Sequence, residues 1–256
     1  HLVKPSEGMK IYDPTVGYGG MLTTSIKYLM DHGCNPPKVS LYGQEINTVV
    51  WAICKINMFL HGVLDADIKN GDTLQDPQHI SGSELEVFDR VIASPPFGVR
   101  HTVKENDPFG RFPNMGLPII SAEFAFISHM VASLNADGIM GVVVPHSILF
   151  RGVTSSNTMR KKILDDDLIE GIIGLPSGLF NGTNISAVLL IINKKKSDLE
   201  DVSTWRKRPK TVASVSGVQQ KGKGSNYSEA TNNAISNAVR KSSLALLEKV
   251  RAKGVK

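Results

Sequence analysis

Apolar and polar positions follow two alternating periods over most of this chain, and the switches between them predict strands and helices in turn. A short apolar lead-in at 10–13 ends in Asp13-Pro14, a loop with Gly17, Gly19 and Gly20 follows, and a helix-compatible run spans 21–30. KVSLYGQ at 38–44 reads as a second strand with Glu45 at its carboxyl end. Apolar residues at helical spacing over 47–61 predict a second helix packed on the sheet. A short third strand over 68–72 ends in Asp72, and the β-branched run at 87–93 is a fourth, stopping at Ser94-Pro95-Pro96-Phe97.

The segment 98–120 is rich in Gly, Pro and charge and reads as a long loop, a class that is functional or disordered in compact domains. An amphipathic helix over 121–134 closes on a turn at Asn135–Gly138. Strands at 139–144, 168–175 and 185–193 follow, with a further helix around 159–164. The fold class expected is α/β: a doubly wound, mostly parallel seven-stranded sheet. Its last strand should run antiparallel, because the connection at 177–184 is too short for a parallel crossover. Beyond Lys194 the pattern changes to a possible strand at 211–218, a flexible stretch at 219–228 and a helix over 229–253. The expected division is a domain over 1–196 and a basic extension over 197–256.

Composition narrows the class. With 256 residues, 41% hydrophobic and 21% charged, the chain has the balance of a globular protein with a substantial core. No apolar run approaches the ~20 residues of a membrane helix, no signal peptide is legible, and Cys34 and Cys54 do not make a disulfide framework. A cytoplasmic location is expected, so the three Asn-x-Ser/Thr matches, at Asn181, Asn184 and Asn226, read as chance. A start at His1 so close to the first strand suggests a fragment. The net +5 is unevenly spread: 194–256 holds 15 basic and 5 acidic residues, a net +10, which leaves −5 for 1–193. A basic tail can contact phosphates or dock a partner.

The chemistry gathers at strand ends. Asp13, Glu45 and Asp72 close the first three strands, where an α/β sheet opens its binding crevice. A carboxylate after the second strand can accept both hydroxyls of a ribose, and the third acid can accept from an exocyclic amine of adenine. A lone acid there is more often a helix cap; three beside a glycine turn favour an adenosine-containing ligand. No GxxxxGK[ST] is present, which argues against a nucleoside triphosphate. In Ser94-Pro95-Pro96-Phe97 the prolines stiffen the backbone and leave their carbonyls as acceptors. The corner can hold an exocyclic amine while its ring stacks on Phe97; the plainer alternative is a stiff strand exit with Phe97 in the core.

DPTVGYGGML, YGQEIN, IKNGDTL and SPPFG, in this order, resemble the successive motifs of amino-methylating DNA methyltransferases. With EFAFISHM, VVVPHSILFRG, RKKILDDDLIEGIIGLPSGLF and the strand at 187–193, the chain is similar over 8–196 to the modification subunit of type I restriction–modification systems. The resemblance implies a Rossmann-like methyltransferase acting on adenine N6 with S-adenosylmethionine. The cofactor would lie on Asp13, Pro14, Thr15, Gly17, Tyr18, Gly19 and Gly20, with Glu45 and Ile46 at its ribose and Asp72 near its adenine. Ser94, Pro95, Pro96 and Phe97 would grip a base flipped from the duplex. It further implies double-stranded DNA, a DNA-specificity subunit and a restriction subunit as partners, the basic helix at 229–253 serving as dock.

Two departures qualify this. The adenine-specific family has Asn where this chain has Ser94, and Ser-Pro-Pro-aromatic also resembles the cytosine-N4 enzymes, in which the corner precedes the glycine turn. Order favours adenine N6; the residue itself favours cytosine N4, or a binding module with weakened chemistry. The family's upstream helical domain and cofactor segment would also precede His1. His129 and His146 sit in apolar elements and are read as packing residues, and with no Cys/His ligand spacing no metal is expected. Phe109, Arg111 and Phe112 offer a DNA contact from the long loop, with disorder of that loop as the equal alternative.

Overall fold

The structure is a computed structural model that describes residues 2–35, 38–102, 107–112, 119–150, 154–175, 185–195 and 211–214. The chain divides into two compact units, His1–Val142 with Asn193–Lys195, and Val143–Ile192 with Lys196–Lys256.

The first unit is built on five parallel strands. In chain order they are β1 (Lys10–Asp13), β2 (Ser40–Glu45), β3 (Asp67–Asn70), β6 (Phe88–Ala93) and β9 (Leu134–Pro145), the last carrying the chain into the second unit. Their spatial order is β3-β2-β1-β6-β9, every neighbouring pair parallel. Two hairpins interrupt the alternation: β4 (Ile80–Ser81) with β5 (Glu84–Leu85), and β7 (Arg100–Thr102) with β8 (Ile119–Ser121). Neither was legible, since two- and three-residue strands carry no period. The turn expected at Asn135–Gly138 is instead a bulge inside β9, where the register with β6 jumps from Phe88↔Leu134 to Arg90↔Ile139.

Helices cover both faces, as a doubly wound sheet requires. Helix α1 (Gly20–Asp31) buries Leu22, Ile26 and Leu29, one stripe at i, i+4, i+7, each worth about 1.5–3 kcal/mol on full burial. Helix α2 (Thr48–Leu60) starts at Asn47, whose side chain accepts from Val49 and Val50 N–H. These helices close one core with Ile11, Leu41, Ile68 and Ile92. Helix α2 buries only Cys54 and Met58, leaving Val49, Ile53, Ile56 and Leu60 exposed, because its apolar residues occupy more of its circumference than one sheet face can cover.

Strand alternation sends Tyr12 and Tyr42 to the opposite face. There Tyr12 stacks on Phe88 at 4.4 Å between ring centres and meets helix α3 (Ala122–Ala132), nine of whose eleven residues are buried.

The second unit holds a 3-10 turn (His146–Leu149), α4 (Thr154–Asp165), β10 (Ile169–Gly174), β11 (Ala187–Asn193) and β12 (Thr211–Ser214). β11 runs antiparallel to β10, as its short connection demands, and β12 pairs parallel with β10. The fold is the expected class, a mostly parallel α/β sheet with an antiparallel seventh strand. No described helix is long and apolar enough to cross a membrane. The helix expected at 229–253 and the connection at 177–184 lie outside the described residues.

Candidate functional site

β1 lies between β2 on one side and β6 on the other. The chain goes from β1 first to β2 and later returns to β6, so the strand order reverses between β1 and β6. In an open α/β sheet this switch point is where strand ends part and a ligand can enter. Asp13 ends one of the two strands, and Ala93, just before Ser94, ends the other.

Asp13 is 1% exposed. Its Oδ1 accepts from Thr15 N–H at 2.9 Å and from the Thr15 hydroxyl at 3.5 Å, whereas its Oδ2 has no partner. Burial pushes the carboxyl up to about 7, against the pull of the Thr15 hydrogen bonds and with a further push from Glu45. An orphaned buried carboxylate oxygen is costly unless a donor or a cation reaches it.

Pro14–Gly19 forms the turn. Gly17 and Gly19 take left-handed φ of 53° and 83°. Val16 N–H donates to the Gln44 carbonyl at 3.0 Å, and Gly17 N–H to Glu45 Oε2 at 3.0 Å. Close approach of the turn to β2 is what demands Gly43, where an added Cβ would lie 2.9 Å from Val16 Cβ. The other Glu45 oxygen accepts from Asn47 N–H at 2.8 Å, so this carboxylate ties the glycine turn to the start of α2. Tyr18 and Ile46 are exposed beside the turn.

Asp72 departs from the expected position. β3 stops at Asn70, whose side-chain amide turns back to the Glu45 carbonyl at 2.8 Å. Asp72 lies two residues further on, its Oδ1 accepting from Leu74 N–H at 2.9 Å and Gln75 N–H at 3.2 Å; it closes a turn, and no helix starts there for it to cap. Thr73 next to it donates its hydroxyl to the Pro14 carbonyl at 2.6 Å. All three acid-bearing loops are thereby cross-linked.

β1 and β6 run parallel, pairing Ile11 with Arg90 and Tyr12 with Val91, so both strands end toward the same sheet edge. Paired strands are about 4.8 Å apart. The glycine turn and the diproline corner therefore leave the same sheet edge from adjacent strands. Within the corner Pro95 is buried, Ser94 and Pro96 are exposed and Phe97 is half-buried. Gly98 N–H donates to Glu123 Oε1 at 2.6 Å, and the Ser121 hydroxyl donates to Glu123 Oε2.

Arg111 overturns one expectation. It is 5% exposed, with its guanidinium buried against the Asp72 turn. Its guanidinium pairs with Asp107 at 2.6 Å and donates to the carbonyls of Thr73 at 3.0 Å and Leu74 at 2.9 Å, with Phe109 and Phe112 lying over it. A buried arginine must meet acceptors, and the Asp72 turn supplies them. His129 packs as expected, near Tyr12 Oη (3.1 Å) and Arg111 Nη1 (3.3 Å). Because a guanidinium only donates, Nδ1 accepts and the ring proton sits on Nε2. Burial, with the Arg111 charge, holds His129 down at about 3. His146, expected as a packing residue, is instead exposed in the second unit and lies edge-on to Phe150.

The residues missed at sequence level are Glu123, Thr73 and Asp107. Only Glu123 left a signal, as the one acid in the apolar run EFAFISHM.

One family model, N-6 DNA Methylase, matches residues 1–240, a span that includes the glycine turn, the strand-end acids and the diproline corner. The chain belongs to the N-6 DNA methylase family. Among its relatives, the type I restriction enzyme HindI methylase subunit of Haemophilus influenzae is 30% identical over 199 residues, covering 76% of this chain and 43% of that protein. The MjaVIII methylase subunit of Methanocaldococcus jannaschii is 33% identical over 211 residues, covering 77% and 35%. The methyltransferase subunit of a Streptococcus thermophilus type I restriction–modification system, a solved structure, superposes with a TM-score of 0.67 at 31% identity, covering 91% of this chain and 48% of that one. The chain thus spans less than half the length of these family members.

Proposed function

We propose that this N-6 DNA methylase domain transfers a methyl group from S-adenosylmethionine to the N6 of adenine in double-stranded DNA, within a type I restriction–modification assembly. The observation that carries the reading is the pairing of β1 with β6, which opens the glycine turn and the diproline corner on one edge. The residues fit the cofactor: an unpartnered buried carboxylate oxygen at Asp13, left-handed glycines at 17 and 19, and a ribose-height acid at Glu45.

When bound, S-adenosylmethionine supplies an electrophilic methyl on a sulfonium sulfur. Asp13 Oδ2 would accept from a donor of that ligand, and Pro14, Thr15, Gly17, Gly19 and Gly20 would shape the backbone around it. Glu45 carries one backbone N–H on each oxygen and has lone pairs left for two ribose hydroxyls. Tyr18 and Ile46 would lie at the adenosine, and Asp72 would accept near its adenine through the oxygen that does not cap the turn. The flipped target base stacks on Phe97, and the carbonyls of the Pro95–Pro96 pair accept the protons of its exocyclic amine, raising nitrogen electron density for attack. No protein nucleophile is required. Cys54 is packed in the core, its thiol pushed up to about 11 by burial.

Sequence choice is assigned to a separate specificity subunit and cleavage to a restriction subunit, since the relatives are named as subunits of type I restriction enzymes. Ser94 favours a second reading, cytosine N4, because its hydroxyl reaches less far than the Asn amide the adenine enzymes carry. Full-length protein with its partner subunits, labelled cofactor and duplex DNA, followed by mass spectrometry of nucleosides, separates the readings. N6-methyladenine is expected; N4-methylcytosine moves the assignment to the second reading. If no product forms and Ser94→Asn restores one, the domain is a binding module whose chemistry Ser94 removed; if Ser94→Asn restores nothing, Ser94 is not the reason for the silence.

A further inference from the structure

The diproline corner enters from a strand held on both sides, β6 between β1 and β9, with Ala93 in register with Val142. Its exit has no strand to hold it until β7. What holds it is the start of α3: Val99 carbonyl accepts from Ala122 N–H at 2.8 Å, and Gly98 N–H donates to Glu123 Oε1 at 2.6 Å. Glu123 is 5% exposed, in the first turn of a helix that is otherwise almost wholly apolar and buried. Burying a carboxylate there is costly unless its oxygens are satisfied. One serves Gly98, the residue that follows Phe97; the other takes the Ser121 hydroxyl, which fixes the carboxylate's own orientation. Gly98 adopts a left-handed φ of 74°, the turn that brings its N–H back toward α3, although open space surrounds the place a Cβ would take. Conformation alone demands glycine here.

We propose that Glu123 is a positioning residue for methyl transfer: through Gly98 it latches the exit of the Ser94–Phe97 corner to α3 and so sets the Phe97 ring and the proline carbonyls against the target base. This rests on the methyltransferase reading of the same corner. The helix start provides a fixed point because α3 is buried on all sides, so the latch transmits the position of a rigid element to a strandless corner. A base held between an aromatic ring and two carbonyls tolerates little displacement; about 1 Å of misplacement costs about 100-fold in rate.

The test compares Glu123→Gln, Glu123→Ala and Gly98→Ala in the full-length protein with its partner subunits. The readouts are methyl-transfer kinetics, S-adenosylmethionine affinity by calorimetry, and amide exchange of the 94–100 segment. In Glu123→Gln the amide oxygen still accepts from Gly98 and the amide nitrogen donates to Ser121 Oγ, so kcat should stay within about fivefold of wild type. Glu123→Ala should lose about 100-fold in kcat, keep cofactor affinity within about twofold and expose the Gly98 amide to exchange. Gly98→Ala leaves the core untouched and should lower kcat with cofactor affinity unchanged. Equal activity of Glu123→Ala and wild type, equal losses in Glu123→Gln and Glu123→Ala, or unchanged Gly98 exchange would overturn the latch. A wild-type protein that transfers no methyl overturns the underlying reading instead. Should Glu123→Ala not fold, Gly98→Ala decides: full kcat there refutes the proposal.

Discussion

Asp13 keeps its proton up to about pH 7 in the folded chain, against 3.8 for the exposed group, because burial leaves Oδ2 without a donor. Between those values the folded state holds a proton that the unfolded chain has released, so stability falls as pH rises. His129 acts in the other direction. Burial and Arg111 hold it down at about 3 against 6.5, so in that window the unfolded chain takes up a proton the folded state refuses, and stability falls as pH drops. From roughly pH 4 to 6.5 the two effects oppose each other. Asp13→Asn keeps the Oδ1 acceptor for Thr15 and removes one side of the balance. Relative to wild type its stability should rise with pH across this window, by at most ~1.4 kcal/mol per pH unit. Denaturant melts from pH 4.5 to 6.5 measure this; parallel profiles for the two proteins would refute it. The same variant should bind S-adenosylmethionine more weakly, having lost the group that charges when a cation arrives.

At the scale of elements, the loop after the β7–β8 hairpin's first strand is tied to the Asp72 turn by one side chain. Arg111 offers its fork to Asp107 and to the carbonyls of Thr73 and Leu74, all out of water. Truncation leaves the buried Asp107 charge without its guanidinium, with only the backbone N–H of residue 111 still donating to it at 2.6 Å, and two buried carbonyls without donors, so Arg111→Ala should destabilise by about 3–5 kcal/mol. Arg111→Lys cannot reproduce the planar fork and should fall between. Urea denaturation of both variants is the check, and an Arg111→Ala midpoint within the error of wild type would show that water replaces the guanidinium. Thr73 also reaches Pro14, so disturbance here should carry into the glycine turn. The sequence read Arg111 as a DNA contact because a basic residue between two aromatics has the same local signature whether it faces phosphate or an inward carboxylate.

For the whole molecule, charge is divided: net −5 over 1–193 and net +10 over 194–256. On the methyltransferase reading proposed above, a region of net −5 would attract a duplex poorly, so docking on DNA would need the basic segment or a partner. Charge alone, at residues outside those described, makes the case for a partner dock. Replacing Arg240, Lys241, Lys249 and Arg251 by Gln should weaken binding of the specificity subunit and flatten its salt dependence, while cofactor affinity stays unchanged. Titrations at two ionic strengths read both, and an unmoved subunit affinity places the dock elsewhere.

Side-chain period and turn chemistry are local, and so the longer strands and helices, the glycine turn, the corner at Ser94–Phe97 and the antiparallel pairing of β10 with β11 were legible in the chain itself, whereas the two short hairpins were not. Family membership followed from the same motifs in the same order. Pairings between residues about 80 positions apart are not written in any local pattern. Only the folded sheet put β6 beside β1, stopped β3 short of Asp72, turned Arg111 inward and brought Glu123 to Gly98. The reason is physical: a strand's neighbour and a buried group's partner are chosen by competition among all the surfaces of the chain, and that choice exists only after the sheet has closed on its helices.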